Sequence, residues 1–352
     1  MRIIQLLRTL NRGDGVGNEA IELSKLFTRA GIDNHIYACV IGEGIDKSLC
    51  SPVSKLGETK DSDILLYHFS IGSSISELVK KKKGRLILRY HNVTPYHFLK
   101  NYNPYLALRC MRAMEELKDL IPYTHSAVAV SEFNKKGLMN MGYTCDIRVC
   151  PILLDPDVFK KKSESNPRGK DILFVGRIVP NKKQEDIIKA FYVYNRDYDP
   201  DSKLILCGNN AGFEKYDRDL KDYVKKLGIK EGKVIFTGKV SEEKLVSFYE
   251  NAGAFLCMSE HEGFCIPLIE AMHMGIPVVA YDSAAVGETL GMGGIALRDK
   301  DPHKCAAILN EVINNTSFRE KVVICGKENL KRFEPTLVAD NFLDILGLKE
   351  SL

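Results

Sequence analysis

Short apolar runs alternate along the whole chain with segments whose apolar residues recur at helical spacing, the pattern of parallel sheets covered by helices on both faces. In the first half the runs near 2–7, 35–41, 64–67, 86–90 and 126–130 read as strands. In the second half those near 172–175, 203–207, 233–236, 254–258 and 277–280 do. Between the two sets, Asp155-Pro156-Asp157 to Pro167-Arg168-Gly169 is polar, punctuated by Pro and Gly, and carries Lys160-Lys161-Lys162. It reads as an interdomain linker over about 155–169, with the boundary near 165. The expected fold class is therefore α/β with two Rossmann-like domains, 1–165 and 166–334. A chain of 352 residues exceeds the length at which one core usually splits, and 45% apolar residues suffice for two.

The densest chemistry lies in Ser259-Glu260-His261-Glu262-Gly263-Phe264-Cys265-Ile266-Pro267-Leu268-Ile269-Glu270-Ala271-Met272. Apolar runs flank this stretch, so it predicts strand, loop, short helix, strand. Pro267 suits the first helical position and Gly275 the left-handed residue past the end, giving a helix over about 267–274. Such a helix start at a strand's carboxyl end favours a phosphate. Glu262 and Glu270 then read in two ways on the residues alone. Either Glu270 accepts two ribose hydroxyls beside that phosphate, or Glu262 is a solvated loop residue and Glu270 a first-turn carboxylate favoured by the helix dipole.

Glu-x7-Glu within Glu-Gly-Phe-x-x-Pro-Leu-Ile-Glu-Ala-Met, followed by Gly-Ile-Pro-Val-Val-Ala, resembles the donor-site signature of the retaining GT-B glycosyltransferases, the glycosyl transferases group 1 family. Two upstream segments resemble the same family in the same order, Phe174-Val175-Gly176-Arg177-Ile178-Val179-Pro180-Asn181-Lys182-Lys183, ahead of a helix Glu185–Tyr194, and Phe236-Thr237-Gly238-Lys239-Val240-Ser241. Together the three cover most of 171–300. The resemblance implies a GT-B architecture, with two Rossmann-like domains facing each other across a cleft, an N-terminal acceptor domain and a C-terminal nucleotide-sugar domain. It implies that the helix Pro335–Leu346, within a tail 335–352, crosses back onto the N-terminal domain. Arg177 and Lys182 would hold the donor diphosphate, Val240 would lie at the turn that touches the base, and the backbone of Gly263, Phe264 and Cys265 would approach the sugar. Cys265 departs from the family, where Gly is frequent.

The N-terminal half adds further candidates. Asn11-Arg12-Gly13-Asp14-Gly15-Val16-Gly17-Asn18 follows the first strand and opens a helix, so its glycines suit either backbone approach to a phosphate or a tight turn. The second strand ends Cys39-Val40-Ile41-Gly42 without an acidic residue, which disfavours NAD. The resemblance places Gly15 and Gly17 in the loop facing the diphosphate. His91 follows the strand 86–90 at its carboxyl end, and His68 stands at the equivalent end of the preceding strand. Each could bind a hydroxyl or a phosphate, or be a structural histidine. The resemblance puts a His at the position of His91 close to the transferred sugar, and Ser70 and Asn92 join His68 as acceptor-side candidates. His261 and His273 read as structural or peripheral, and Asn92-Val93-Thr94, a glycosylation pattern, has no secretory context.

Charge narrows the partners. Residues 1–165 hold 24 Lys and Arg against 18 Asp and Glu, a net of +6, leaving −2 for the remainder of the total of +4. Lys80-Lys81-Lys82-Lys83-Gly84-Arg85 is the densest basic run. It suits a phosphorylated or lipid-linked acceptor or an anionic membrane face, or else is a solvated helix end. No recognised nucleic-acid module is present and Trp is absent, so no nucleic-acid partner is expected. No run approaches a membrane span, and Arg8 comes too soon for a signal peptide. Ten scattered Cys, with Cys39, Cys207 and Cys257 inside apolar strands, suggest buried thiols in a reducing cytoplasm rather than a disulfide or zinc framework.

The expected activity is that of a retaining, metal-independent hexosyltransferase. It would move a hexose from a nucleotide diphosphate sugar to a hydroxyl of a glycan, lipid-linked or small-molecule acceptor, as in cell-surface polysaccharide or glycoconjugate synthesis. The protein would be cytoplasmic or peripheral to the inner membrane face and need no cofactor beyond the donor. The alternatives are a sugar-nucleotide epimerase or phosphorylase on the same fold, or a non-catalytic sugar-nucleotide-binding subunit. The simultaneous presence of Arg177, Lys182, Glu262 and Glu270 weighs against a decayed site.

Overall fold

The computed structural model describes residues 1–46, 48–155 and 169–348. It divides into two compact units, one from Met1–Tyr96, Tyr105–Asp155 and Arg332–Leu352, the other from His97–Pro104 and Pro156–Lys331. All but the two ends of the expected linker 155–169, together with the boundary near 165, fall on residues 156–168, outside the described residues.

The first unit holds a parallel sheet of seven strands: β1 Ile3–Leu10, β2 Asn34–Ile41, β3 Cys50–Pro52, β4 Ile64–Phe69, β5 Arg85–Tyr90, β6 Ser126–Ala129 and β7 Asp146–Val149. Their order is β3-β2-β1-β4-β5-β6-β7. The second unit holds six more parallel strands: β8 Asp171–Val175, β9 Leu204–Cys207, β10 Val234–Gly238, β11 Ala252–Cys257, β12 Val278–Tyr281 and β13 Ile295–Leu297. These run β10-β9-β8-β11-β12-β13. Each order reverses once, between β1 and β4 in the first sheet and between β8 and β11 in the second. In open α/β sheets ligands bind beyond the carboxyl ends of the strands at that reversal.

Central strands are buried on both faces, as β1 shows with Ile3, Ile4, Leu6 and Leu7 all inside, so they read as unbroken apolar runs. Ile3, Phe27, Leu66, Ile87 and Val128 form one core of the first unit, and the helix Pro335–Leu346 lays Val338, Phe342, Leu343 and Leu346 onto it. The ring of Phe342 lies 6.3 Å from that of Phe27. The core of the second unit gathers Leu173, Phe255, Leu268 and Val278.

Three strands escaped the sequence reading. β3, β7 and β13 are edge strands with partly exposed residues, so they lack the buried apolar run that marks the equally short β6, β9 and β12, and β3 ends in Pro52, which an edge tolerates. Cys39 is a correction: it is exposed, whereas Cys207 and Cys257 are buried. The cause is geometric, because β2 pairs with β3 only through Ala38, so its last residues lack a neighbour there, and Val40 and Ile41 are exposed as well. Lys80 follows the short helix Ile75–Val79 and pairs with Glu77 at 2.7 Å, on a surface run. Among the described residues no helix is long and apolar enough to cross a membrane.

Candidate functional site

In the second unit the loop after β8 and the loop after β11 meet at the sheet reversal. Asn181 is buried in the 3-10 turn Pro180–Lys182; its Nδ2 donates to the carbonyl of His261 at 3.0 Å, and its own carbonyl accepts from Glu260 N at 2.9 Å. Those bonds hold Lys182 against the Glu-Gly-Phe loop, where its Nζ forms an ion pair with Glu262 Oε1. The two side chains are 18% and 10% exposed, so water screens the pair only in part. Burial opposes the ammonium, but Glu262, joined by Cys265 and Cys257, more than offsets it, and Lys182 stands above its usual pKa. The charge on Lys182 is therefore secure.

Arg177 lies just past β8, exposed, donating to the Ala211 carbonyl at 3.3 Å over the Phe213 ring. Its own carbonyl accepts from buried Gln184 at 2.9 Å. Gly263 is half-buried, and Phe264 is buried, with its carbonyl accepting from Thr289 Oγ1. Cys265 is a non-glycine residue in the left-handed region, at φ 72° and ψ 62°, and forms the cap of the helix Ile266–His273. L-residues there meet a steric cost, which accounts for the Gly frequent in the resembling segment. Val240, two residues past β10, packs half-buried against the core.

Glu270 corrects one of the two readings. The helix begins at Ile266, one residue earlier than expected, so Glu270 lies in its second turn, and the first turn carries no acidic residue. Favour from the helix dipole, which fades within the first turn, is not what keeps it there. Instead Tyr249 Oη donates to Glu270 Oε2 at 2.5 Å. Burial pushes the Glu270 carboxyl up to about 7, against the pull of that hydrogen bond. Burial and then the neighbouring Glu270 push the Tyr249 phenol well up. The carboxyl is thus poised to titrate near neutrality.

In the first unit the loop after β1 opens the helix Gly15–Arg29, capped by Asp14 Oδ1 accepting from Gly17 N at 2.7 Å. A Cβ at Gly17 would collide with the Asn11 carbonyl, so the tight turn requires glycine. Gly15 is the first helical residue. The parallel register aligns Leu7 with His68 and His68 with Arg89. His68 Nδ1 lies 3.1 Å from His91 Nε2, and His68 Nε2 lies 3.0 Å from Gln5 Oε1. Arg89 and Glu19, both fully buried, form an ion pair, with Arg89 Nε donating to Glu19 Oε2 at 3.1 Å. Arg89 also donates to the carbonyls of Cys150 at 2.7 Å and Pro151 at 3.0 Å. Burial, then the Arg89 charge, holds His91 well below its usual pKa. Burial and the His91 neighbour bring His68 down to about 3, against the pull of Glu19. Both imidazoles are therefore neutral at pH 7. Asn92, at φ 87°, donates to Asn134 Oδ1 at 2.8 Å, and Ser70 is half-buried just past β4.

The structure thus joins Lys182 to Glu262 and His68 to His91. It adds Gln5, Glu19, Arg89, Asn181, Gln184 and Tyr249, which the sequence reading passed over. Two of these left a signal: Arg89 is a charge inside an apolar strand, and Glu19 shares a helix stripe with Leu23 and Leu26, so each required a buried partner. Two groups bring metal-type ligand atoms within 4.8 Å of one another, Glu19 with His68 and His91, and Glu262 with Cys257 and Cys265. Each group's carboxylate already faces a side-chain cation, Arg89 or Lys182, which would repel a second one. His261 is half-buried, its ring 6.2 Å from that of Phe98, and His273 is exposed.

Two parallel Rossmann-like sheets, each with polar side chains gathered beyond its reversal point, define the GT-B fold class. The chain belongs to the glycosyl transferases group 1 family, whose model matches residues 155–331, half of the chain. It is 27% identical over 161 residues to the O-antigen chain mannosyltransferase B of Escherichia coli, which is 46% of this chain and 41% of that protein. The match thus spans less than half the length of that relative. Anabaena HepE (Alr3699), solved in complex with UDP-glucose, superposes with a TM-score of 0.74 at 16% identity, over 99% of this chain and 100% of that one. A sucrose-phosphate synthase of Thermosynechococcus elongatus superposes with a TM-score of 0.74 at 15% identity, over 98% of both chains.

Proposed function

We propose that this protein is a retaining hexosyltransferase that takes a nucleotide diphosphate sugar as donor and a hydroxyl of a glycan, lipid-linked or small-molecule acceptor. The observation that carries this reading is the Lys182–Glu262 ion pair at the reversal of the second sheet, beside a helix start. As the donor's glycosidic bond breaks, negative charge grows on the leaving diphosphate and positive charge on the ring. Lys182 and Arg177 meet the first with charges already in place, and Glu262 orients sugar hydroxyls. Glu270 takes the ribose diol, Val240 borders the base, the Gly263–Cys265 backbone lies along the sugar, and Gly15 and Gly17 let backbone approach the diphosphate. The first unit, with its excess of basic residues, takes the acceptor, with Ser70 and Asn92 on that side and His68, both ring nitrogens already taken by Gln5 and His91, behind them. A cytoplasmic or membrane-peripheral protein in polysaccharide or glycoconjugate synthesis fits this charge.

Both carboxylates of the Glu262/Glu270 pair are already engaged, Glu262 by Lys182 and Glu270 by Tyr249. Neither is free to act as a nucleophile, which supports a same-face displacement assisted by the leaving phosphate. No metal is needed where Lys182, Arg177 and helix N–H groups meet the diphosphate.

The test is a thermal-shift screen against UDP-, GDP- and ADP-sugars. One donor class at 100 times its dissociation constant is expected to stabilise the protein by about 2.7 kcal/mol. That shift is expected to shrink as pH falls through about 7, because protonated Glu270 loses acceptor capacity for the ribose hydroxyls. No shift with any nucleotide sugar would overturn the reading.

A further inference from the structure

We propose that Gln5, His68 and Glu19 lock His91 in its Nε2–H tautomer, leaving His91 Nδ1 as a permanent hydrogen-bond acceptor that takes a sugar hydroxyl and refuses a phosphate oxygen. The proposal rests on the glycosyltransferase reading only for the word sugar; the tautomer follows from the first unit alone.

The chain of donors can be read from its fixed end. The Ala20 carbonyl only accepts, so the Gln5 group 3.1 Å from it is the amide nitrogen, and Gln5 Oε1 must face His68. That oxygen also only accepts, so His68 Nε2, 3.0 Å away, carries a proton. His68 is neutral, since burial and its neighbours bring its pKa down to about 3, and its Nδ1 is therefore bare. A bare Nδ1 lying 3.1 Å from His91 Nε2 requires that Nε2 to donate. Glu19 Oε2, 3.4 Å from the same nitrogen, sets a carboxylate oxygen beside it, which favours a proton there over a bare lone pair. Both oxygens of Glu19 already accept from Arg89 in a fully buried ion pair, so Glu19 acts as an acceptor here. His91 is itself neutral, so with Nε2–H fixed its Nδ1 carries only a lone pair.

That lone pair has no hydrogen-bond partner among the described residues, although the side chain is only 3% exposed. A buried acceptor left unsatisfied is costly, so a ligand that donates to it gains affinity. A hydroxyl can donate. An ionised phosphate oxygen offers only lone pairs and would face a lone pair. The relay thus decides between the two ligand chemistries that the position of His91 leaves open in the sequence. Gln5, His68 and Glu19 act through His91 and are positioning residues.

The experiment is a long-range proton–nitrogen correlation spectrum of the full chain labelled with 15N-histidine, at pH 7, with His91 assigned by its loss in His91→Ala. The expected pattern is one bare nitrogen, Nδ1, and one protonated, Nε2, unchanged when inorganic phosphate is added. In Gln5→Leu, where His68 loses its acceptor, His91 is expected to shift towards a mixture of tautomers. A protonated Nδ1 in the wild-type protein, or protonation of that atom by phosphate, would overturn the proposal, and the wild-type spectrum decides this even where a variant does not fold. The locked tautomer in a protein that no nucleotide sugar stabilises would leave the relay standing and sink the donor reading. The reverse combination would sink the relay alone.

Discussion

Lys182→Ala is expected to lower donor turnover about 10²–10³-fold, the loss found when one preorganised charge-stabilising donor is removed from a closed site. The side chain sits where two strand-end loops meet, its charge is held by Glu262, and Asn181 pins the turn that carries it. Arg177→Ala is expected to behave alike, since it removes the second cation from the same sheet reversal. Lys182→Ala also leaves the Glu262 carboxylate without its cation, which lowers stability as well as turnover. The double variant Lys182→Ala with Glu262→Gln separates the two effects. Its melting temperature is expected to recover towards that of the wild type while turnover stays low. Near-normal turnover in Lys182→Ala and Arg177→Ala would remove both residues from the diphosphate site.

The second large effect belongs to the first unit. Glu19→Leu strands the Arg89 guanidinium in the core with only the Cys150 and Pro151 carbonyls to meet it. Breaking one side of a buried ion pair costs about 3–5 kcal/mol, because the remaining charge has neither water nor partner. A fall of several degrees in the thermal midpoint, followed by circular dichroism, is expected. Glu19→Leu combined with Arg89→Met is expected to regain much of that loss, since apolar groups of similar volume carry no desolvation penalty. Equal destabilisation in the single and double variants would show that packing around Phe342, which lies 5.4 Å from the Arg89 guanidinium, matters more than the charge pair.

The sequence was most legible where burial is continuous. Central strands such as β4 and β11 are buried at every position and almost wholly apolar, and the helix Pro335–Leu346 has Pro at its start and Gly347 in the left-handed region past its end. Edge strands β3, β7 and β13 were lost because their exposed positions break the apolar run that marked equally short buried strands such as β9 and β12. Cys39 was misread because an apolar run cannot show where a neighbouring strand stops. In the site, motif spacing picked out Lys182, Glu262 and Glu270 but not what each touches. Tyr249 lies 21 residues before Glu270, and Arg89 lies 70 after Glu19. Such pairings depend on strand order, which no local pattern encodes. A single polar residue in an apolar stripe was the available clue, and it was there at both Glu19 and Arg89.

The reading of this chain as a retaining sugar transferase stands or falls on the product's anomeric configuration. Incubated with the nucleotide sugar that stabilises it and with an acceptor hydroxyl, the protein is expected to give a product of the donor's own configuration, α-linked from an α-linked donor. Proton NMR of the first-formed product reads this directly, since axial and equatorial anomeric protons couple differently to their neighbour. An α-linkage formed at full rate in EDTA is the result the account requires. A β-linkage from such a donor would demand a general base on the opposite face, and would contradict the roles given to Lys182, Glu262 and the leaving phosphate.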